Sequence, residues 1–234
     1  MRASYYGLAS YVDDQLGRII AAFKEFCGNR PWLIVFNPDH GCKLGEHGMH
    51  EKFTFYDESV HVPLIVASSD GRFPRGARCD RFAELVDLAP TFLGAAGVSL
   101  PTHFEGLDLA DTASGRARER TEAVSEKKTY GRRAMLRTRD WSFEMQVSPD
   151  PVVGKPLKPD EMKWPATATL DQLDVSLFDR HADPREVRNL GTDPARLELC
   201  EGFRRRLVAR LFPEDRVEYD WWRDVSRPPN APKK

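Results

Sequence analysis

The densest chemistry in the chain lies between Asn37 and Lys52, which read Asn-Pro-Asp-His-Gly-Cys-Lys-Leu-Gly-Glu-His-Gly-Met-His-Glu-Lys. The segment follows a short apolar run, Trp32 to Phe36, so a buried strand is expected to end on two metal-ligand types, Asp39 and His40. In open α/β sheets, chemistry sits just beyond the carboxyl ends of the strands. Asp39 offers a hard carboxylate oxygen for a divalent cation; His40 offers an imidazole nitrogen or a hydrogen bond. The competing reading is a plain turn after a strand. Lys52 is an ammonium that can sit where negative charge develops, or an ordinary surface lysine. His47 can contact substrate, donate a proton to a leaving group, or tie the loop together. His47 and His50 with Glu46 and Glu51 hint at zinc. Their order is not His-Glu-x-x-His, and the neighbouring glycines argue against one helix presenting both.

Elements must hold this loop. Leu8, Val12, Leu16, Ile19, Ile20 and Phe23 recur at spacings of three and four, which predicts a helix over 4–27 with one apolar stripe, closed by Gly28. Asp13 and Asp14 inside it read as a solvated pair. Trp32–Phe36 reads as a buried parallel strand, and Val62–Ala67 as a second central strand entered through Pro63. Residues 83–96 look helical, with Pro90 near the start and Gly97 at the end. Beyond about residue 112 come strand-like pieces at Ala123–Ser125, Arg133–Arg137, Trp141–Val147 and Val175–Asp179. The Pro- and Lys-rich stretch 148–165 reads as a surface excursion. A helix is expected over 194–211, with Leu197, Cys200, Phe203, Leu207 and Leu211 on its apolar face and Arg204, Arg205, Arg206 and Arg210 on a solvated one.

The chain has 234 residues, 41% hydrophobic and 30% charged, with a formal net charge of −1. It can bury a core, and it carries no global attraction to nucleic acid or an anionic membrane. No apolar run approaches the ~20 residues a spanning helix needs, and there is no charged-then-apolar leader; a cytoplasmic location is the default expectation. Cys27, Cys42, Cys79 and Cys200 are scattered, without a Cys-x-x-Cys pair. His61, His103 and His181 suggest no catalytic role.

Five stretches together resemble the sulfatase family, within the alkaline-phosphatase-like superfamily. They are the Asp39–Lys52 block; Tyr56-Asp57-Glu58-Ser59-Val60-His61-Val62-Pro63-Leu64-Ile65-Val66; Tyr6-Gly7-Leu8 through Val12-Asp13-Asp14-Gln15-Leu16-Gly17; Val86-Asp87-Leu88-Ala89-Pro90-Thr91; and Leu177-Phe178-Asp179 through Leu190. The resemblance implies an α/β core, part of a mixed sheet flanked by helices, over residues 1–112. It also implies a small C-terminal antiparallel α+β subdomain over 113–212, with a tail over 213–234. It implies metal ligation by Asp39 and His40, with Ca²⁺ favoured and Mn²⁺ or Mg²⁺ possible. Lys52 would be catalytic and substrate-binding, and His47 catalytic. The implied substrate is a sulfate ester, as a small molecule or a sugar; a phosphodiester or phosphonate monoester is the alternative.

One departure stands out. Members carry a Cys-x-Pro-x-Arg nucleophile motif, whose Cys becomes formylglycine, in an N-terminal half. None of the four cysteines fits that pattern, and Thr192-Asp193-Pro194-Ala195-Arg196 matches a threonine version by letters only, inside the C-terminal run. The expectation is therefore the C-terminal half of such an enzyme, inactive alone. A separate N-terminal half would complete it; otherwise the chain is a noncatalytic product.

Overall fold

A computed structural model describes residues 1–101, 104–128, 131–149 and 159–213. His103, most of the Pro- and Lys-rich stretch and the tail beyond Pro213 lie outside these residues.

A four-stranded antiparallel sheet organises the C-terminal part. Its strands are β5 (Ala123–Lys127), β6 (Arg133–Arg137), β7 (Trp141–Gln146) and β8 (Ser176–Asp179), in the order β5-β6-β7-β8. Leu136 lies opposite Phe143, and Phe143 opposite Leu177. Alternation then divides the side chains between two faces. Ala134, Leu136, Phe143, Met145 and Leu177 point to one face. There they pack under the last helix, α6 (Leu197–Leu211), against its Cys200, Phe203, Leu207 and Leu211. The rings of Phe143 and Phe203 stack at 5.7 Å. The other face carries Lys127, Met135, Arg137, Ser142 and Phe178, and the loop after Lys52 lies on it: Lys127 Nζ donates to the Phe53 carbonyl at 2.9 Å, and Phe178 meets the Tyr56 ring edge-on at 5.9 Å.

The strand and helix positions expected for this part hold, apart from the 148–165 stretch; on the last helix, Leu197 is exposed instead of joining the apolar face, and Arg204 is largely covered and donates to the Pro165 and Ala166 carbonyls. That stretch ends in a helix, α5 (Pro159–Thr167), whose Trp164 packs against the α6 core. Proline fits a first helical turn, and tertiary contact outweighs the turn-rich composition before it. A short helix, α4 (Leu109–Ser114), was also not foreseen. Asp108 caps it by accepting from the Ala110 N–H, and Gly115 ends it at φ 77°.

The N-terminal part differs more from expectation. α1 (Arg2–Cys27) forms as the periodicity demands and closes on Gly28 at φ 55°. Its stripe, however, is not buried: Leu8 is 65% and Ile19 62% exposed, and Val12 is exposed beside them. β1 (Leu33–Phe36) is neither parallel nor central. It pairs antiparallel with β4 (Ile65–Ser68), Leu33 opposite Ser68 and Phe36 opposite Ile65, in a two-stranded sheet. The reason is the connection: the chain leaves β1, makes the long loop, and returns beside it in the opposite sense. Ile65 is 61% exposed and Phe36 is also exposed, so this ladder lacks the cover that continuous apolar strands normally receive.

A buried carboxylate joins the two parts. Asp87, at the start of α3 (Leu88–Ala95), accepts from the Leu107 and Glu84 N–H groups and both Arg120 terminal nitrogens, while Glu84 accepts from the Val124 N–H on β5. Burial works against the Arg120 charge, but Asp87 and Glu84 outweigh it and hold its pKa above the usual value. No described helix is long and apolar enough to cross a membrane.

The contrast in burial makes a direct prediction. Leu207→Ala, in the α6 core, should cost about 2–5 kcal/mol by denaturant unfolding. Ile19→Ala, on the open stripe of α1, should cost less than about 0.5 kcal/mol. Equal costs would contradict the exposure of α1.

Candidate active site

The loop after β1 is built by close approach. Gly41 N–H donates to the Ser59 carbonyl at 2.9 Å, and a Cβ on Gly41 would run into the Glu58 carbonyl oxygen. Only glycine fits there, which locks the Asp39–Gly41 turn onto α2 (Asp57–Val60). A small hairpin follows, β2 (Lys43–Leu44) paired with β3 (His50–Glu51). Arg2, at the start of α1, braces it by donating to the Leu44 carbonyl at 2.9 Å and to Glu46 at 3.0 Å. Glu46 also accepts from the Leu44 N–H; this bond, then the nearby guanidinium, holds its carboxyl below the usual range. His47, Glu51 and Phe53 all adopt positive φ, at 55°, 67° and 70°. Such strain in non-glycine residues persists only when the surroundings enforce it, and it clusters at functional sites.

Three of the four expected site residues come together. Lys52 Nζ lies 2.5 Å from His40 Nε2, and His40 Nε2 lies 3.3 Å from Asp39 Oδ2. His40 Nδ1 is 2.9 Å from the Gly41 carbonyl. That carbonyl can only accept, so Nδ1 carries the proton and Nε2 accepts from the Lys52 ammonium. Asp39 keeps its side chain 83% exposed while Oδ1 accepts from the His40 N–H at 3.0 Å. The arrangement is a cation, an imidazole and an open carboxylate in a row, three residues beyond the end of β1.

His47 is placed elsewhere in the loop. Its ring stacks on Tyr56 at 3.7 Å with an interplanar angle of 7°, and Nε2 lies 3.7 Å from Glu58 Oε2, a buried oxygen without a hydrogen bond. The ring packs the loop, and no described contact joins it to Lys52 or His40. His50 is exposed and not near it in any metal-like set: among the described residues, no group of three or more His, Cys, Asp or Glu side chains can hold a metal ion. Asp39 and His40 are two side chains of metal-ligand type, side by side and without a third among the described residues. His40 Nε2 is already shared with Lys52, so these residues alone do not fit a complete divalent-metal site.

The residues that fix the loop were not singled out in advance. Arg137, on the second face of the sheet, is buried. Its Nη2 donates to Glu186 Oε1 at 2.6 Å, to the Phe55 carbonyl at 3.0 Å and to Ser142 Oγ at 3.1 Å, and its Nη1 pairs with Asp57 Oδ1. Glu186 returns through Oε2, which accepts from the Asp57 N–H at 2.9 Å. Burial pulls the Arg137 guanidinium down to about 10 despite Glu186, and lifts the Glu186 carboxyl above its usual range despite Arg137. Arg137 read only as a strand residue, and Glu186 only as a member of the run that ends at Leu190; neither residue type announced a buried pair.

Residues 1–98 match the sulfatase family model. They are a sulfatase-family domain. The chain is 31% identical over 225 residues to PehA, a multifunctional alkaline phosphatase superfamily protein of Trinickia caryophylli, covering 93% of this chain and 41% of that protein. It is 26% identical over 212 residues to an arylsulfatase of Clostridium perfringens, covering 90% and 40%. Among solved structures, the phosphonate monoester hydrolase of Agrobacterium radiobacter superposes with a TM-score of 0.69 at 25% identity, covering 89% of this chain and 40% of that one. The architecture is that of the alkaline-phosphatase-like sulfatase fold, and the chain spans about two fifths of the length of the relatives it matches.

Burial opposes both charges of the Arg137–Glu186 pair, and their mutual attraction offsets it only in part. Arg137→Met alone should cost about 3–5 kcal/mol, because it strands a buried carboxylate. Adding Glu186→Gln, which keeps an acceptor for the Asp57 N–H, should recover most of that loss. Urea denaturation of the parent, both single variants and the double variant measures the coupling; additive losses would refute it. Glu186 has a folded-state pKa above its unfolded value of 4.5. Its protonation therefore favours folding below that pH, and the contribution is lost as pH rises through the raised value. Glu186→Gln should flatten the stability profile across that window.

Proposed function

We propose that this chain is the metal-flanking, cation-bearing part of a sulfatase-family hydrolase that cleaves sulfate esters. The observation that carries the reading is the Lys52–His40–Asp39 row beyond the end of β1, inside the residues that match the family. The Lys52 ammonium is aimed by His40, and an oxyanion placed against it gains fixed positive charge where charge develops. His40, accepting at Nε2, holds that ammonium in one orientation. Asp39 turns its open carboxylate outward as the ligand this chain offers to a divalent cation. The family generally uses such a metal, which when bound polarises the sulfuryl centre; Ca²⁺ is the favoured ion, with Mn²⁺ or Mg²⁺ as alternatives.

In this proposal the nucleophile, a formylglycine, and the remaining metal ligands come from an N-terminal half outside this chain. The apolar stripe of α1 and the exposed Phe36 and Ile65 of the β1–β4 ladder form the surface that such a half would cover. The substrate is a sulfate ester, of a small molecule or a sugar. A phosphonate or phosphodiester substrate is the second reading. It is favoured by the 0.69 TM-score to the phosphonate monoester hydrolase and by the multifunctional relative.

The test is to add the N-terminal region of a relative, in one chain or by co-expression, and to assay an aryl sulfate beside an aryl phosphonate monoester. The isolated chain should give no turnover. The completed protein should turn over one of the two, and Lys52→Ala should lower kcat roughly 10²- to 10³-fold. A completed, folded protein indifferent to Lys52→Ala would sink the reading. The isolated chain should bind Ca²⁺ or Mn²⁺ no tighter than about millimolar, the range of weak oxygen sites. A micromolar isotherm by calorimetry that vanishes in Asp39→Ala would show a complete site instead.

A further inference from the structure

Lys43 is a fully buried lysine immediately beside the candidate site. A buried ammonium needs acceptors for its three protons. Lys43 Nζ has three: the Lys52 carbonyl at 2.9 Å, Thr54 Oγ1 at 2.8 Å and Ser59 Oγ at 3.3 Å. Thr54 and Ser59 also bond to each other at 3.2 Å. All three acceptors belong to the segment that runs from Lys52 onto the first helical turn below the Asp39–Gly41 loop. No ion pair engages the ammonium among the described residues; burial pulls its pKa below the usual lysine value, partly countered by Glu58.

The acceptors are the informative part. One is the main chain of Lys52 itself. Another, Ser59, sits on the residue whose carbonyl receives the Gly41 N–H. The backbone around Lys52 is strained: Glu51 and Phe53, on either side of it, both adopt positive φ, and the β2–β3 pairing ends at Glu51. A methionine or leucine would fill the same volume without polar demands. A buried cation is costly unless its partners are fixed, and it fixes them in return.

We propose that Lys43 is the positioning residue for Lys52: its ammonium clamps the Lys52 carbonyl to Thr54 and Ser59, and so delivers the Lys52 side chain to the His40 imidazole. Lys43 touches no substrate and takes no part in the chemistry. The proposal rests on the reading of the Lys52–His40 pair as the oxyanion-facing group.

Amine-selective acylation followed by mass spectrometry reads Lys52 directly, without turnover. Lys24, on α1, is the internal reference. In the parent chain, Lys52 held against His40 should acylate several-fold more slowly than Lys24. In Lys43→Met, with unchanged circular dichroism, Lys52 should speed up to within about twofold of Lys24. Lys43→Gln, whose amide can still donate to the Lys52 carbonyl, should lie between. A Lys52 rate in folded Lys43→Met equal to the parent's overturns the proposal. If Lys43→Met does not fold, the double variant Thr54→Val with Ser59→Ala decides in the same way. It strips two of the three acceptors, so Lys52 acylation should rise, and an unchanged rate overturns the clamp. The underlying reading fails separately: inorganic sulfate or phosphate at tens of millimolar should slow Lys52 acylation in the parent, and no effect of either anion would count against the oxyanion site while leaving the clamp standing.

Discussion

A single buried arginine decides how the candidate site is held. Arg137 leaves the second face of the four-stranded sheet and reaches Glu186, Asp57, the Phe55 carbonyl and Ser142 at once. Among the described residues no strand pairing joins the site loop to that sheet; polar contacts and a few rings do. Charges in a dry interface are poor sources of net stability but strong sources of specificity, because any displacement leaves one of them uncompensated. The loop from Phe53 to Asp57 therefore has one acceptable seat on the sheet. Asp57 opens α2, whose Ser59 meets both Gly41 and Lys43. A constraint applied at Arg137 thus reaches the Asp39–His40 turn within two contacts.

The same economy explains why the loop tolerates strain. His47, Glu51 and Phe53 are held at positive φ in a segment with only two residue pairs of strand pairing. Side chains take over the role of a sheet: Arg2 and Glu46 hold the hairpin's outer side, Lys43 its inner side, and the Tyr56–His47 stack its end. Such a loop is expensive to order, but once ordered it presents Lys52 and His40 in one geometry. Preorganised charge of this kind is what oxyanion chemistry uses.

Much of this was legible in the residues, and the rest was hidden for identifiable reasons. Local periodicity carried β5, β6, β7 and the α6 face, because their partners are sequence neighbours or a single amphipathic helix. Asp39 and His40 were legible as candidates from residue type and placement after an apolar run; Lys52 was marked only by the family resemblance, since by itself it reads as a surface lysine. Periodicity also gave α1 correctly as a helix, but not its exposure: a stripe states that burial is wanted, not that a partner is present. β1 read as parallel and central because an apolar run is equally consistent with any covered strand. Its antiparallel pairing with β4 is a property of the returning chain. Lys43, Arg137 and Glu186 were invisible for a different reason. A charge is ordinarily solvated, and only the fold shows that these three are enclosed.

The exposed Asp39 carboxylate and the open apolar surface are neighbours. Asp39 follows the exposed Phe36 by three residues, so a body covering the β1–β4 ladder necessarily arrives next to the carboxylate. Burying side chains such as Leu8, Val12, Ile19, Phe36 and Ile65 is worth up to roughly 10 kcal/mol in total, before the cost of association. That cost is lower when the covering body is tethered to the same chain. In the proposed assembly, association and metal binding are then linked. Each ligand the covering body adds to Asp39 strengthens metal binding, and by reciprocity the metal strengthens association.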